Sequence, residues 1–328
     1  MRPLRSAGAI LCFHGVTTPA LPAQGEVHVS VVDFKALIAA AQRMGELVPL
    51  RDLVRRHMAG RNTAGLLAVT VDDAYASLLG EVAEFVADQG IPLTVFAVTE
   101  AAREGARYWW DRLDDLFPRV SKERWRAFED ACGLVDGYRH GQPARYGPLR
   151  PLRQWLLAAH AGRWPAALEP LLHGLEAETG TRTAQRSMTF EELARFAALP
   201  SVDVGVHTVS HPVLPLLTDA ERTREISTGY LALRERFTNT VPVLAVPFGL
   251  FDRRTVAAAR EAGMMASLTL AGTTLPRQPG QDDLPRFCIS RQDTATKLHV
   301  RLTGLRVRWR SWWGGLAPRY PALPSATT

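Results

Sequence analysis

Short, continuous apolar runs recur along the chain, separated by stretches in which apolar residues return every three or four positions. The runs at residues 7–16 (AGAILCFHGV), 66–71, 91–98, 243–246, 266–270 and 287–289, and one beginning at Val202, are too brief for helices. They read as buried parallel strands. The intervening stretches carry helix punctuation. Ser30 with Asp33 opens a helix that runs to about Met44 and stops at Gly45, and the amphipathic stretch 78–88 closes at Gly90. Thr189 with Glu192 and Thr218 with Glu221 form capping boxes for helices to about Ala198 and Arg236, and the helix 251–262 stops at Gly263. Strand, helix, strand is the order of a parallel α/β fold. Seven or eight such units predict an incomplete or distorted (β/α) barrel.

The rhythm breaks between residues 103 and 187, where helical segments rich in Trp and Arg appear, among them 121–131 and 149–178. The expected organisation is a barrel made of 1–102 and 188–296, an inserted helical subdomain at 103–187, and a basic, Trp-rich C-terminal helix and tail at 297–328. Tyr108, Trp109 and Trp110, followed by Asp111 and Arg112, mark the entry to the insertion. Their rings suit a small apolar core and also suit sugar stacking. An insertion that hangs over an open site is placed to select substrate. In the tail, Leu298, Leu302, Leu305, Trp309, Trp312 and Trp313 fall on one helical face, and residues 301–328 hold five arginines and no acid. That pattern fits a helix docked on the barrel, or an interfacial helix resting on anionic lipid.

Composition narrows the setting. The 328 residues carry a net charge of +6, compatible with an anionic partner or simply with a basic surface. No nucleic-acid-binding module is recognisable, which makes that partner unlikely. Cys12, Cys132 and Cys288 are widely spaced and odd in number, so neither a disulfide framework nor a cysteine zinc site is indicated. Arg2 and Arg5 precede only a short apolar run without a small-residue cleavage site, and no stretch reaches the roughly 20 apolar residues of a membrane span. A cytoplasmic protein is expected, with peripheral contact at the inner membrane face through 297–313 as the one membrane association the sequence suggests.

The chemistry concentrates where apolar runs end. The run 66–71 stops at adjacent carboxylates, Asp72 and Asp73. On an extended chain these would point opposite ways, one toward a metal and one free to take a proton. Equally, one of them could cap a following helix. The run from Val202 ends in His207, with His211 four residues on, a spacing that on a helical turn puts both imidazoles on one face. Together with a strand-end aspartate they make a candidate Asp-His-His metal site. Zinc suits this mixed N/O set best, and nickel, cobalt or iron would also fit.

Three ordered blocks, Thr70-Val71-Asp72-Asp73, His207-Thr208-Val209-Ser210-His211-Pro212 and Pro247-Phe248-Gly249, resemble those of the polysaccharide deacetylases of carbohydrate esterase family four, which share the nodulation-type deacetylase homology domain. The resemblance spans about residues 8–102 and 188–291. It implies Asp73, His207 and His211 as metal ligands, Asp72 as general base and a Phe248 backbone N–H at the oxyanion. The family's late Leu-x-His block is absent near residues 267–270; His14, in an opening Leu-Cys-Phe-His-Gly-Val segment, resembles the N-terminal general acid of a permuted subset. Ala245 stands where the family often has the Arg that orients its base, and Arg286 in Leu284-Pro285-Arg286 is the expected replacement. Ala74 replaces a usual Gly, which requires a negative φ there. The implied activity is metal-dependent removal of an acetyl group from the sugar of a glycan precursor, glycolipid or glycoside. The alternatives are deformylation of a lipid-linked amino sugar and non-catalytic carbohydrate binding.

Overall fold

In a computed structural model, residues 7–23, 25–134, 150–276, 278 and 282–303 are described. The long strands are β1 (Ala9–Phe13), β5 (Leu66–Val71), β6 (Leu93–Ala97), β7 (Val202–Val206), β8 (Thr240–Ala245) and β9 (Ala266–Thr269). Shorter ones are β2 (Val16–Thr17), β3 (Val29–Ser30), β4 (Glu46–Leu47), β10 (Asp283–Pro285) and β11 (Phe287–Cys288). The main sheet runs β10-β9-β8-β7-β6-β5-β1-β11, all parallel, with β4 added to β5. Its two edges are held by one segment: β10 pairs with β9, and after a single residue, Arg286, β11 pairs with β1. The ring is therefore nearly closed, a distorted (β/α) barrel.

Alternation along each strand sorts its side chains. Leu11, Val69, Val95, Val204 and Leu244 join the layer shared with the surrounding helices, which include Val31–Gln42, Phe190–Ala197 and Asp219–Arg236. Ile10, Ala68, Phe96, Val243 and Leu268 face the interior, which Leu50, Leu53 and Val54 of the helix Leu50–Met58 pack against. Gly205 is required here, because a Cβ would lie 2.3 Å from the ring of Phe96. The sequence punctuation is realised in the caps: Thr189 and Thr218 form complete capping boxes with Glu192 and Glu221.

Several local expectations are corrected. The amphipathic stretch after Asp73 begins as a short 3-10 turn, Ala76–Leu78, and its helix is Glu81–Gln89 with Gly80 at the cap, so neither aspartate caps it. The helix expected over 149–178 is two, Arg150–Ala159 and Glu169–Thr179. It breaks where Ala161 and Gly162 take positive φ, 49° and 76°, and Val213 N–H bonds Ala161 O at 2.7 Å. The C-terminal helix is Ala295–Leu302, with Leu298 and Leu302 buried; Leu305, Trp309, Trp312 and Trp313 lie outside the described residues. Among those described, no helix is long and apolar enough to cross a membrane.

The tryptophans between residues 103 and 187 belong to one apolar cluster. Trp109, Trp125 and Trp155 share a cluster with Leu113, Leu116 and Leu156, and the cluster extends to Val213 and Phe248 beside the barrel mouth.

Candidate metal centre and active site

Every sequence-nominated side chain lies at the C-terminal ends of the strands or on the loops that leave them, the face where barrel enzymes carry their chemistry. His14 follows β1, Asp72 and Asp73 follow β5, His207 follows β7, Phe248 follows β8, and Arg286 sits between β10 and β11. All but Arg286, which is buried behind Asp72, line a pocket of about 580 Å³, counting its open mouth, together with Glu26, Trp110, Asp111, Asp114, Arg153, Val246 and Leu270.

The donor atoms of Asp73, His207 and His211 lie within 4.8 Å of one another, and all three residues are buried. His207 Nε2 and His211 Nε2 stand 3.4 and 3.5 Å from Asp73 Oδ1, too far for strong hydrogen bonds. Donors sharing one small cation at about 2.1 Å stand roughly 3.3 Å apart. Asp73 Oδ1 is otherwise a buried oxygen without a hydrogen bond, so the residues fit a divalent cation. His207 Nδ1 meets Ala245 O at 2.8 Å, which turns Nε2 toward Asp73 in the manner of a metal-ligating histidine. Ala245, the position without the family's usual arginine, thus contributes its carbonyl. Without a cation, burial and then the charge of His207 push His211 down to about 3. Burial works against a charged His207, but Asp72 and Asp73 together outweigh it and raise its pKa.

Asp72 is held differently. Arg286 Nη1 donates to its Oδ1 and Nη2 to its Oδ2, both at 2.7 Å, and the guanidinium is fully buried. Burial alone would raise this carboxyl's pKa, but Arg286, followed by His207, holds it far below the usual carboxylate range. Cys12 Sγ lies 3.4 Å from Oδ2. His14, half-buried, belongs to a group with Cys12 and Asp72, and burial lowers its pKa.

Two local expectations fail here. The histidine pair is not on a helical turn: residues 207–213 form no helix, and Thr208 and His211 have φ of 68° and 57°. The loop converges the rings through these two left-handed residues, with centroids 4.6 Å apart. Nor is the chain extended through both aspartates, since Asp73 and Ala74 have φ of 67° and 46°. The negative φ required of Ala74 is not what this turn adopts; Met188 N–H on Ala74 O (2.7 Å) and Tyr108 Oη–H on Asp73 O (2.8 Å) hold it. Phe248 also has positive φ, 57°. Five of the six such non-glycine residues described lie in the blocks that build this site or, for Ala74, directly after one, where strained backbone commonly gathers.

Other residues of the site gave little signal in the sequence. Tyr108 stacks on Trp110 (4.5 Å between centroids), and Trp110 and Phe248 approach the His211 ring at 4.9 and 4.5 Å. Trp110 Nε1–H donates to Tyr75 Oη, Tyr75 donates to Asp111, and His28 Nε2 meets the other oxygen of Asp111 at 2.7 Å. Only the Tyr-Trp-Trp-Asp run at residues 108–111 hinted at this. His28 and Tyr75 carried no sequence signal.

Comparisons with known proteins bear on the family and the fold. Residues 175–267 match the family described as polysaccharide deacetylase. IcaB from Ammonifex degensii is 16% identical with a TM-score of 0.58, over 92% of this chain and 99% of that one. The Streptococcus pyogenes deacetylase PplD, solved in complex with acetate, is 12% identical with a TM-score of 0.57, over 91% and 99%. A de-N-acetylase from Aggregatibacter actinomycetemcomitans is 10% identical with a TM-score of 0.54, over 90% and 100%. No curated protein matches in sequence. The family match bears out the resemblance and spans the second and third of its blocks, and the structural likenesses show the shared fold.

Proposed function

From kinship with the polysaccharide deacetylases, we propose that this protein is a metal-dependent hydrolase that removes an acetyl group from a sugar of a glycan precursor, glycolipid or glycoside. The observation that carries the reading is the meeting of Asp73, His207 and His211 beside an Asp72 already paired with Arg286. A divalent ion, zinc by the donor set, would be held by those three side chains and would polarise the acyl oxygen and acidify water. Asp72 accepts the proton of the attacking water. Arg286 keeps that carboxylate ionised and fixes its plane through two parallel hydrogen bonds. The same pairing makes Asp72 a weak base, so the acidity of the water must come from elsewhere in the site. His14 protonates the departing amine or alkoxide, and the Phe248 backbone N–H faces the developing oxyanion. Trp110 and Phe248, against His211, exclude water from one side.

The segment 103–187 acts in this reading as an insertion that selects substrate, since Trp110, Asp111, Asp114 and Arg153 all line the pocket. The test is acetate release from a panel of acetylated amino sugars and glycosides, with formate release assayed in parallel. Wild-type turnover that vanishes with chelator, returns with zinc and is lost in Asp72→Asn supports the reading. Formate release alone would move the assignment to a deformylase. Sugar binding without release of either acid would leave a carbohydrate-binding protein.

A further inference from the structure

Glu225 lies outside the three family blocks, on the helix Asp219–Arg236, yet its carboxylate is the hub of the loop that carries both histidines. Its Oε2 accepts the backbone N–H groups of Val209 (3.0 Å) and Ser210 (2.9 Å). Its Oε1 accepts from Ser210 Oγ (2.7 Å) and from Arg163 Nη2 (2.9 Å), and Arg163 Nε donates to Ser210 Oγ (3.1 Å). Glu225 is only 8% exposed. One turn further along the helix, Gly229 lets the backbone close in, because a Cβ there would stand 3.0 Å from the carbonyl carbon of Thr208. These contacts fall between His207 and His211, on the stretch bounded by the left-handed residues Thr208 and His211.

We infer that Glu225, clamped by Arg163 from the inserted segment, is a positioning residue that sets the angle at which His207 and His211 present their Nε2 atoms. A left-handed residue without a glycine persists only where its surroundings over-determine it, and here two amide hydrogen bonds to one carboxylate do so. The guanidinium of Arg163 holds that carboxylate in place and ties the inserted segment to the histidine loop. The insertion therefore has a second role beside lining the pocket.

This inference rests on the metal-site reading, and its test reads metal binding as well as turnover. Full-length wild type, Glu225→Ala, Glu225→Gln, Arg163→Ala and a control, Glu192→Ala, are titrated with zinc against a chromogenic chelator and loaded with cobalt for visible absorption. Glu192 also accepts capping N–H and arginine hydrogen bonds, but it sits on another helix. Removing groups that orient metal ligands typically weakens affinity about 10- to 100-fold, and Glu225→Ala should fall in that range with an altered cobalt spectrum. Glu225→Gln should be intermediate, since its amide oxygen still accepts the two N–H groups while Arg163 loses its carboxylate. On an active substrate, kcat should fall with KM nearly unchanged. Glu192→Ala should lose stability and keep zinc affinity. A folded Glu225→Ala with wild-type zinc affinity and cobalt spectrum overturns the inference. Should that variant fail to fold, unchanged zinc affinity in both Glu225→Gln and Arg163→Ala overturns it. Wild type that binds zinc but releases no acid sinks only the hydrolase reading; wild type that binds no zinc sinks both.

Discussion

Replacing Arg286 by Ala would strand the Asp72 carboxylate in a fully buried place, and breaking one side of such a pair costs about 3–5 kcal/mol. Arg286→Ala is therefore expected to lower stability by that amount in urea unfolding and to abolish turnover. Full activity in the variant would remove Arg286 from the chemistry. Single residues differ in how openly the sequence announces them. Asp72, Asp73, His207 and His211 interrupt apolar runs, and a polar group at the end of a buried strand demands an explanation. Arg286 could be nominated because its family counterpart is missing at Ala245. Glu225 and Arg163 gave no such sign: Glu225 sits in a helix rich in charge and Arg163 alone among Ala, Gly, Trp and Pro, and only the fold brings the two head groups together. Ala74 shows the reverse failure, since its residue type argued for the wrong sign of φ and two hydrogen bonds from distant residues decided otherwise.

At the scale of elements, periodicity and caps located most of the barrel strands and their helices. Strands β2, β3, β4 and β10 escaped because so short a run has no period to detect, whereas β11 was found as part of the apolar run 287–289. The helix Phe190–Ala197 allows a quantitative check. A side-chain hydrogen bond from Arg186 holds Glu192 down to about 2. A carboxyl with a lowered folded pKa contributes stability above its unfolded value. That contribution fades as pH falls from about 4.5 toward about 2. Glu192 is half-buried but its partner Arg186 is more than a third exposed, so solvent screening keeps the effect below about 1 kcal/mol. Stability of wild type and Glu192→Gln, measured by urea unfolding, should differ at pH 7 and converge near pH 2. A constant gap across that interval would show that the ion pair contributes nothing.

For the whole molecule, a ligand that binds the folded chain alone adds stability, about 2.7 kcal/mol at a hundredfold excess over its dissociation constant. Zinc should raise the melting temperature of chelator-treated protein, and Asp73→Ala should erase the increment. The ring itself carries another consequence. Asp72 meets its guanidinium across 214 positions of chain, and the same six-residue stretch that brings it, 283–288, covers the open edges of β9 and β1. A nascent polypeptide that has not yet released this stretch from the ribosome exposes two bare strand edges and a carboxylate with no counterion. Chains ended at residue 282 should accumulate as aggregates, edges of that kind being templates for association. Only when this stretch has emerged and β11 has docked does the buried carboxylate gain its counterion and the ring its last seam.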